Sequence, residues 1–313
     1  MNHACRGSKG RKPPFGLDWP VTGPAGWGSG KQEQGTPHGS RRRAKPRPMP
    51  NRPAFPSSAL ALAALMAACA SVPRPPYAVE AGSGIARAYD PQDALRVAAR
   101  MEMIAPSVAA ILGVELHPPV QVYAIRRDLG ASSGKTVFLA GGDGWVHEAI
   151  LLGSNAKPYE VWTLAHEFVH WYAKGPRNTL PLILEEGLCN FVAERFDVYT
   201  ARTFHGDVYS ILERGGFDPR PLFRHTRAEH PDAGSLEMQR LYALGYLLVA
   251  RIGIGSLREL CEEAAREGLA SVPASWAFER AGLDPDDHQA WLAAIEESHG
   301  PFEALAIGPT RER

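Results

Sequence analysis

Residues Trp162 to Tyr172 read W-T-L-A-H-E-F-V-H-W-Y, and the rest of the chain is interpreted around this stretch. On a helix, residues four apart lie on one face, so His166 and His170 can reach the same metal ion. Zn²⁺ suits such a pair because it binds imidazole nitrogen and keeps one position for water when it is catalytic. Glu167, next to the first histidine, can then act as a general base toward that water.

The surroundings of this motif distinguish a metal site from a chance pattern. The flanking side chains are apolar nearly all round, which predicts a buried helix. Two histidines and a glutamate inside a buried helix are costly unless they are paired or bind a metal. Pro158 before the stretch and Lys174-Gly175-Pro176 after it predict where the helix begins and ends. The stretch therefore predicts a metal-binding helix whose third ligand comes from elsewhere in the chain.

Residues 1–48 lack the pattern of a folded domain. They contain ten Lys and Arg against two acidic residues, with many Gly and Pro and no hydrophobic periodicity. We interpret them as a disordered basic tail, or as a stretch upstream of a true start at Met49. The run Arg41-Arg42-Arg43 hints at nucleic-acid binding, but a solvated tail is the preferred interpretation.

Residues 49–69 have the outline of a secretory signal. Ala59 to Ala68 form an apolar segment of ten residues, which is too short for a permanent membrane span. Met66-Ala67-Ala68-Cys69 resembles a bacterial lipobox, which implies a lipid on Cys69 and export to the cell envelope or periplasm. Ala68-Cys69-Ala70 also fits ordinary signal peptidase, so a soluble exported form remains open. Any membrane contact is expected only through that N-terminal lipid.

The remaining chain divides into a linker at residues 70–89 and one domain at residues 90–313. Proline, glycine and serine dominate the start of the linker. Residues 70–313 carry 23 Lys and Arg against 32 Asp and Glu, a net charge of −9 that gives no indication of nucleic-acid binding. Cys189 is predicted to be a small buried side chain, and whether it pairs with Cys261 is left open.

The order of the predicted elements indicates an α+β domain. A helix over Asp90 to Gly113, broken near Pro106, is followed by short strands at Val120–Ile125, Thr136–Ala140 and Ala149–Leu152. The metal-binding helix and a mostly helical remainder come next. We therefore predict a small sheet packed on the metal-binding helix, with helices completing the core.

A second helix, opened by Pro181, supplies candidates for the third ligand. It reads P-L-I-L-E-E-G-L-C-N-F-V-A-E-R-F, with Glu185 and Glu186 at its centre, where carboxylates are ordinarily avoided. Gly187 follows directly, and glycine inside a helix costs about 1 kcal/mol relative to alanine. That position therefore suggests a close backbone approach, and one of the two glutamates is the natural third ligand.

The two motifs together resemble the gluzincin metallopeptidases, and most nearly the peptidase MA-like domains of bacterial exported proteins. The resemblance rests on H-E-F-V-H followed by L-E-E-G-L. It implies a zincin-like fold and one Zn²⁺ per chain, held by His166, His170 and Glu186, with Glu167 as general base. Fifteen residues separate His170 from Glu186, fewer than in the aminopeptidase branch, which leaves Glu185 as an alternative ligand.

The same resemblance bears on three further features of the sequence. Asn190, one turn beyond Glu186, corresponds to a residue that orients a ligand histidine. Tyr242, in Tyr242-Ala243-Leu244-Gly245, corresponds to the catalytic tyrosine of the aminopeptidase branch, with Tyr246 as its competitor. The G-x-M-E-N strand of that branch is missing from Gly141 to Gly153, which disfavours obligate aminopeptidase activity.

The sequence thus predicts an exported zinc metallopeptidase that hydrolyses peptide bonds in a peptide or protein substrate. A zinc-stabilised binding or scaffold lipoprotein without turnover is the alternative. Such a protein could discard its general base, and Glu167 is intact, which favours the enzyme.

Overall fold

The sheet of this domain contains five strands within the described residues. The computed structural model describes residues 75–115, 119–130, 132–140, 146–172, 179–226, 231–232 and 234–299. The strands are β1 (Tyr77–Ala81), β2 (Gly84–Ala88), β3 (Val120–Ala124), β4 (Gly134–Ala140) and β5 (Val146–Leu152). Their order is β1-β2-β3-β5-β4, with parallel inner pairs and antiparallel outer pairs. In this part of the chain, β4 is an edge strand.

Side chains alternate between the two faces of the sheet, as a pleated strand requires. Val122 and Ile150 lie in the main hydrophobic core. Tyr123 and Leu151 pack in a smaller cluster on the opposite face. This alternation is the signal from which the sequence predicts β3 and β5, and the observed ends differ from the predicted ones by up to three residues.

Strands β1 and β2 correct the predicted linker at residues 70–89. They form an antiparallel hairpin, and β2 pairs in parallel with β3. A Cβ at Gly84 would lie 1.9 Å from the carbonyl oxygen of Val120, so this glycine permits close strand pairing. The same glycine looks like a linker residue in the sequence, because its partner strand is more than thirty residues away.

Helix α1 (Pro91–Leu112) is continuous, which corrects the predicted break near Pro106. Asp90 caps its start by accepting hydrogen bonds from the backbone of Gln92 and Asp93. Pro106 is exposed, so the hydrogen bond that its missing N–H removes lies on the solvent side, where water can replace it. The buried face of α1 packs against β1, β2 and the predicted metal-binding helix.

Helix α2 (Glu160–Tyr172), the predicted metal-binding helix, follows a 3₁₀ turn that contains Pro158. Its first residue, Glu160, is buried and is held by two arginines of α1. Arg100 Nη1 lies 2.7 Å from Glu160 Oε1, and Arg96 Nη2 lies 3.0 Å from Oε2. A carboxylate at a helix N-terminus is favourable, and these ion pairs tie the start of α2 to the neighbouring helix.

The second half of the described chain is helical. It contains α3 (Leu182–Ala193), α4 (Val198–Glu213), α5 (Leu236–Ile252), α6 (Ile254–Arg266), α7 (Ala274–Ala281) and α8 (His288–His299). The described residues therefore form the mixed α+β class that the sequence predicts. Among these helices none alone is long and apolar enough to cross a membrane; α5 and α6 pass that test only as a pair, bent by 98° at their junction.

Helices α3 and α5 touch through their backbones. A Cβ on Gly187 would lie 2.1 Å from the carbonyl oxygen of Gly245. A Cβ on Gly245 would in turn lie 2.1 Å from the carbonyl oxygen of Ile183. The predicted close approach at Gly187 is confirmed, and its partner is Gly245.

Several predicted features lie outside the described residues. These are the basic tail at residues 1–48, the signal segment at 49–69 with Cys69, the helix stop at Lys174-Gly175-Pro176, and the start of the Gly141 to Gly153 stretch.

Candidate metal centre

Helix α2 presents its two histidines side by side. The rings of His166 and His170 have centroids 5.0 Å apart and are inclined at 69°. Only 15% and 12% of their side-chain surfaces are exposed. The four-residue spacing on a helix accounts for this arrangement, which the sequence predicts.

A residue of α3 holds the Nδ1 atom of each histidine. Nδ1 of His166 lies 3.0 Å from Oδ1 of Asn190, which is the contact that the predicted orienting role requires. Nδ1 of His170 lies 2.8 Å from Oε1 of Glu185. Both partners are acceptors, so each Nδ1 carries a proton and donates it. The hydrogen bonds therefore fix the orientation of both rings.

The Nε2 atoms of both histidines point toward the same carboxylate oxygen. Oε2 of Glu186 lies 3.2 Å from Nε2 of His166 and 3.5 Å from Nε2 of His170. The carboxylate of Glu185 instead contacts Nδ1 of His170. Of the two candidate glutamates, Glu186 is therefore the one whose carboxylate faces both histidines.

The donor set fits a cation. With Nδ1 protonated, an imidazole in its neutral form directs the lone pair of Nε2 toward a carboxylate oxygen, which is also an acceptor. Within the described residues, Oε2 of Glu186 is buried and has no hydrogen-bond partner of ordinary geometry. Buried acceptors that face one another are costly without a positive charge between them.

The pKa shifts of Glu186 and His170 both favour a positive charge within the cluster. Burial raises the pKa of Glu186, but the charge of His170 and the polar contacts of both histidine rings outweigh it, so the net pKa lies well below its ordinary value. Burial lowers the pKa of His170, while Cys189, Glu186 and Glu185 raise it well above the ordinary value overall. A proton or a metal ion can supply the charge that Glu186 requires.

Cys189 is the fourth member of the cluster, and the sequence interpretation assigns it no role in the site. One potential ligand atom from each of His166, His170, Glu186 and Cys189 lies within 4.8 Å of the others. The Cys189 side chain is fully buried and forms no disulfide with Cys261. Burial raises the pKa of its thiol to about 12. This buried cluster can hold a metal ion.

Glu167 lies on α2 beside the cluster, and a residue of the sheet holds its carboxylate. Its Oε2 accepts a 2.8 Å hydrogen bond from Oγ1 of Thr136 on the edge strand β4. A Cβ at Gly134, two residues earlier on β4, would lie 3.0 Å from Oε1 of Glu167. Strand β4 therefore lies directly against α2 at this carboxylate. Only about a twentieth of the surface of Glu167 is exposed.

The two candidate tyrosines of α5 lie in different environments. Burial raises the pKa of Tyr242 well above its ordinary value, and the negative charge of Glu186 raises it further. Tyr246 is fully buried, and its hydroxyl donates a 2.6 Å hydrogen bond to Oε2 of Glu194 and lies 2.9 Å from Nε2 of His205. The charge of Glu186 therefore acts on Tyr242, whereas the hydroxyl of Tyr246 contacts Glu194 and His205.

These features define a candidate metal centre of two histidines, a glutamate and a cysteine, with a separate buried carboxylate beside it. No family model matches the sequence, and neither a curated protein nor a solved structure matches it.

The sequence interpretation assigns no role at the site to Cys189 or to Thr136. Cys189 follows Glu186 by three residues on one helix, so the spacing alone could place them on the same face. Thr136 had no such signal, because its contact with Glu167 depends on how β4 lies against α2. The structure also gives Glu185 a contact to His170 Nδ1 that its sequence neighbours do not indicate.

Proposed function

We propose that this protein is a zinc metallopeptidase with a zincin-like domain, in which His166, His170 and Glu186 bind one Zn²⁺ per chain. The observation that carries the proposal is the position of Glu167. This carboxylate lies on the metal-binding helix, outside the ligand cluster, and is fixed by Thr136. A metal that only stabilised the fold would need no additional buried carboxylate, whereas hydrolysis requires a general base.

Glu167 carries the proton in the proposed reaction. Bound Zn²⁺ lowers the pKa of a water molecule toward 7 and polarises a carbonyl group. Glu167 accepts the proton of the attacking water and returns it to the leaving amine as the peptide C–N bond breaks. The hydrogen bond from Thr136 Oγ1 restricts the rotation of the carboxylate, which keeps it aligned for both transfers.

Tyr242 is the proposed donor to the negatively charged oxygen of the transition state. Because burial and the nearby Glu186 raise its pKa, its phenol keeps the proton at neutral pH and can donate it in a hydrogen bond. The backbone contact of Gly187 with Gly245 holds α5 against α3. Tyr242 precedes Gly245 by three residues, so this contact brings one helical turn of α5 next to Glu186.

A peptide is the substrate class that the sheet supports. Within the described residues, β4 is one of the two edge strands, and it carries Thr136, the hydrogen-bond partner of Glu167. An extended peptide can add to such an edge through main-chain hydrogen bonds. A chain bound there would lie beside the proposed general base.

A digest of a proteome-derived peptide library tests the proposed function. The purified full-length protein, loaded with zinc, is expected to cleave a subset of peptides. Removal of zinc by a chelator should stop cleavage, and readdition should restore it. Cleavage that survives chelation, or no cleavage by the zinc-loaded protein, would refute the proposal.

The ligand set predicts different zinc contents for two neighbouring variants. Glu186→Ala removes one of the three proposed ligands and should lose zinc on dialysis, as should His166→Ala and His170→Ala. Glu185→Ala removes only the partner of His170 Nδ1, so affinity should fall by roughly 10–100-fold. Elemental analysis and a competitive zinc titration measure both effects. Equal zinc retention in the two glutamate variants would exclude Glu186 as the third ligand.

Tyr242→Phe is expected to lower kcat by roughly 10²–10³-fold with little change in KM, because the lost donor acts on the transition state. The ring and its packing remain, so zinc content and stability should stay unchanged. Steady-state kinetics on a cleaved peptide provide the measurement. Tyr246→Phe is the matched comparison: it should affect stability through Glu194 and His205, and a loss of kcat confined to this variant would reverse the assignment.

A zinc-stabilised binding or scaffold protein is the second candidate. It is favoured by Cys189, since four protein ligands are typical of a structural zinc site. Stoichiometric zinc without cleavage of any library peptide would support it over the enzyme.

A further inference from the structure

Cys189 has a position that a buried core cysteine does not need. It lies on α3, three residues after Glu186 and on the same side of the helix. Its side chain is fully buried, and its sulfur lies within 4.8 Å of one ligand atom from each histidine and from Glu186. A cysteine that only fills space in the core could lie on any apolar face of α3.

The spacing of these atoms suits tetrahedral coordination. Ligand atoms at zinc bond lengths of about 2.0–2.3 Å are roughly 3.3–3.7 Å apart in a tetrahedron. Glu186 Oε2 lies 3.2 Å from His166 Nε2 and 3.5 Å from His170 Nε2. For Cys189, whose sulfur moves by rotation about one side-chain bond and lies within 4.8 Å of the other ligand atoms, reaching this spacing requires a shift of at most about 1 Å.

A second observation points to a ligand in the space that Cys189 borders. Oε2 of Glu186 is buried, has no hydrogen-bond partner of ordinary geometry within the described residues, and faces the Nε2 atoms of both histidines. A cation between these three atoms would satisfy all of them at once. The thiol of Cys189 lies at the border of that same position.

We propose that Cys189 is a fourth protein ligand, so that the resting metal is held by His166, His170, Glu186 and the Cys189 sulfur. Binding replaces the S–H bond by a sulfur–metal bond and releases the proton to solvent. The inference rests on the proposed metal site but not on turnover. A four-ligand set closes the position that water needs, unless the metal accepts a fifth ligand or the sulfur leaves.

X-ray absorption at the zinc edge tests this directly on the wild-type full-length protein. One sulfur at about 2.3 Å is expected in addition to nitrogen and oxygen at about 2.0–2.1 Å. A zinc environment of nitrogen and oxygen alone would overturn the proposal. Because this measurement needs no variant, it does not depend on whether a substituted protein folds.

Two cysteine variants provide a matched comparison. Cys189→Ser should remove the sulfur signal and reduce zinc affinity by at least about 100-fold, since even a group that only orients a ligand contributes roughly 10–100-fold. Cys261→Ser, the same change at a buried cysteine of α6, should leave both unchanged. A thiolate-to-cobalt absorption band should likewise be lost only in Cys189→Ser after zinc is replaced by Co²⁺. Retention of the sulfur signal in Cys189→Ser would overturn the assignment.

The outcomes separate this inference from the proposed function. A sulfur ligand without library cleavage supports Cys189 and refutes the peptidase. Zinc-dependent cleavage without a sulfur ligand refutes Cys189 and supports the peptidase. A protein that binds no zinc refutes both.

Discussion

Glu167→Gln is expected to slow peptide hydrolysis by roughly 10²–10⁴-fold while one zinc per chain is retained. Glutamine has nearly the same shape and can still accept the hydrogen bond from Thr136 through its amide oxygen. It cannot accept the proton of the attacking water. The loss should therefore appear in both kcat and kcat/KM on a peptide that the wild-type protein cleaves. Elemental analysis of the same sample measures the zinc.

The control for this change is Glu262→Gln. Glu262 lies on α6 and is exposed, so the same loss of one carboxylate there should leave hydrolysis and zinc content unchanged. A Glu167→Gln variant with wild-type kcat would show that the general base is another residue.

Gly187→Ala is expected to destabilise the fold by at least about 3 kcal/mol, although alanine is the better helix former. Its Cβ would lie 2.1 Å from the carbonyl oxygen and 2.2 Å from the carbonyl carbon of Gly245. Backbone atoms cannot rotate out of the way, so α3 and α5 would have to separate. Urea denaturation of the metal-free protein measures the change without a contribution from zinc.

Gly206→Ala is the matched control, because Gly206 also lies inside a helix, α4. No heavy atom lies within 4 Å of the position of its added Cβ. This substitution therefore changes only the intrinsic helix preference, and the free energy of unfolding is expected to rise by about 0.5–1 kcal/mol. If Gly187→Ala were as stable as wild type, the two helices would not be in backbone contact in solution.

The parts of the fold that the sequence predicts are those with a local pattern. The apolar flanks of His166 and His170 predict a buried helix, and α2 contains them both. The glycine after Glu186 predicts a close helix contact, because glycine inside a helix is unfavourable without such a reason. Both signals lie within a few residues of the feature that they indicate.

The parts that the sequence did not predict depend on distant partners. Strand β2 is short and rich in small residues, and it becomes a strand by pairing with β3. Thr136 contacts Glu167 only because β4 is the strand that lies along α2. Pro106 predicts a break in α1, but the tertiary packing of the buried face keeps the helix continuous. In each case a contact far along the chain outweighs the local preference.

The early start of the first strand limits how far a lipid-anchored form could extend from a membrane. Tyr77 begins β1, eight residues after Cys69. Eight fully extended residues span at most roughly 26–29 Å. If Cys69 carries the lipid, the start of β1 must stay within that distance of the bilayer surface. The domain could then act only on polypeptides that come close to the membrane, and the tether length would restrict its substrates in addition to the active site.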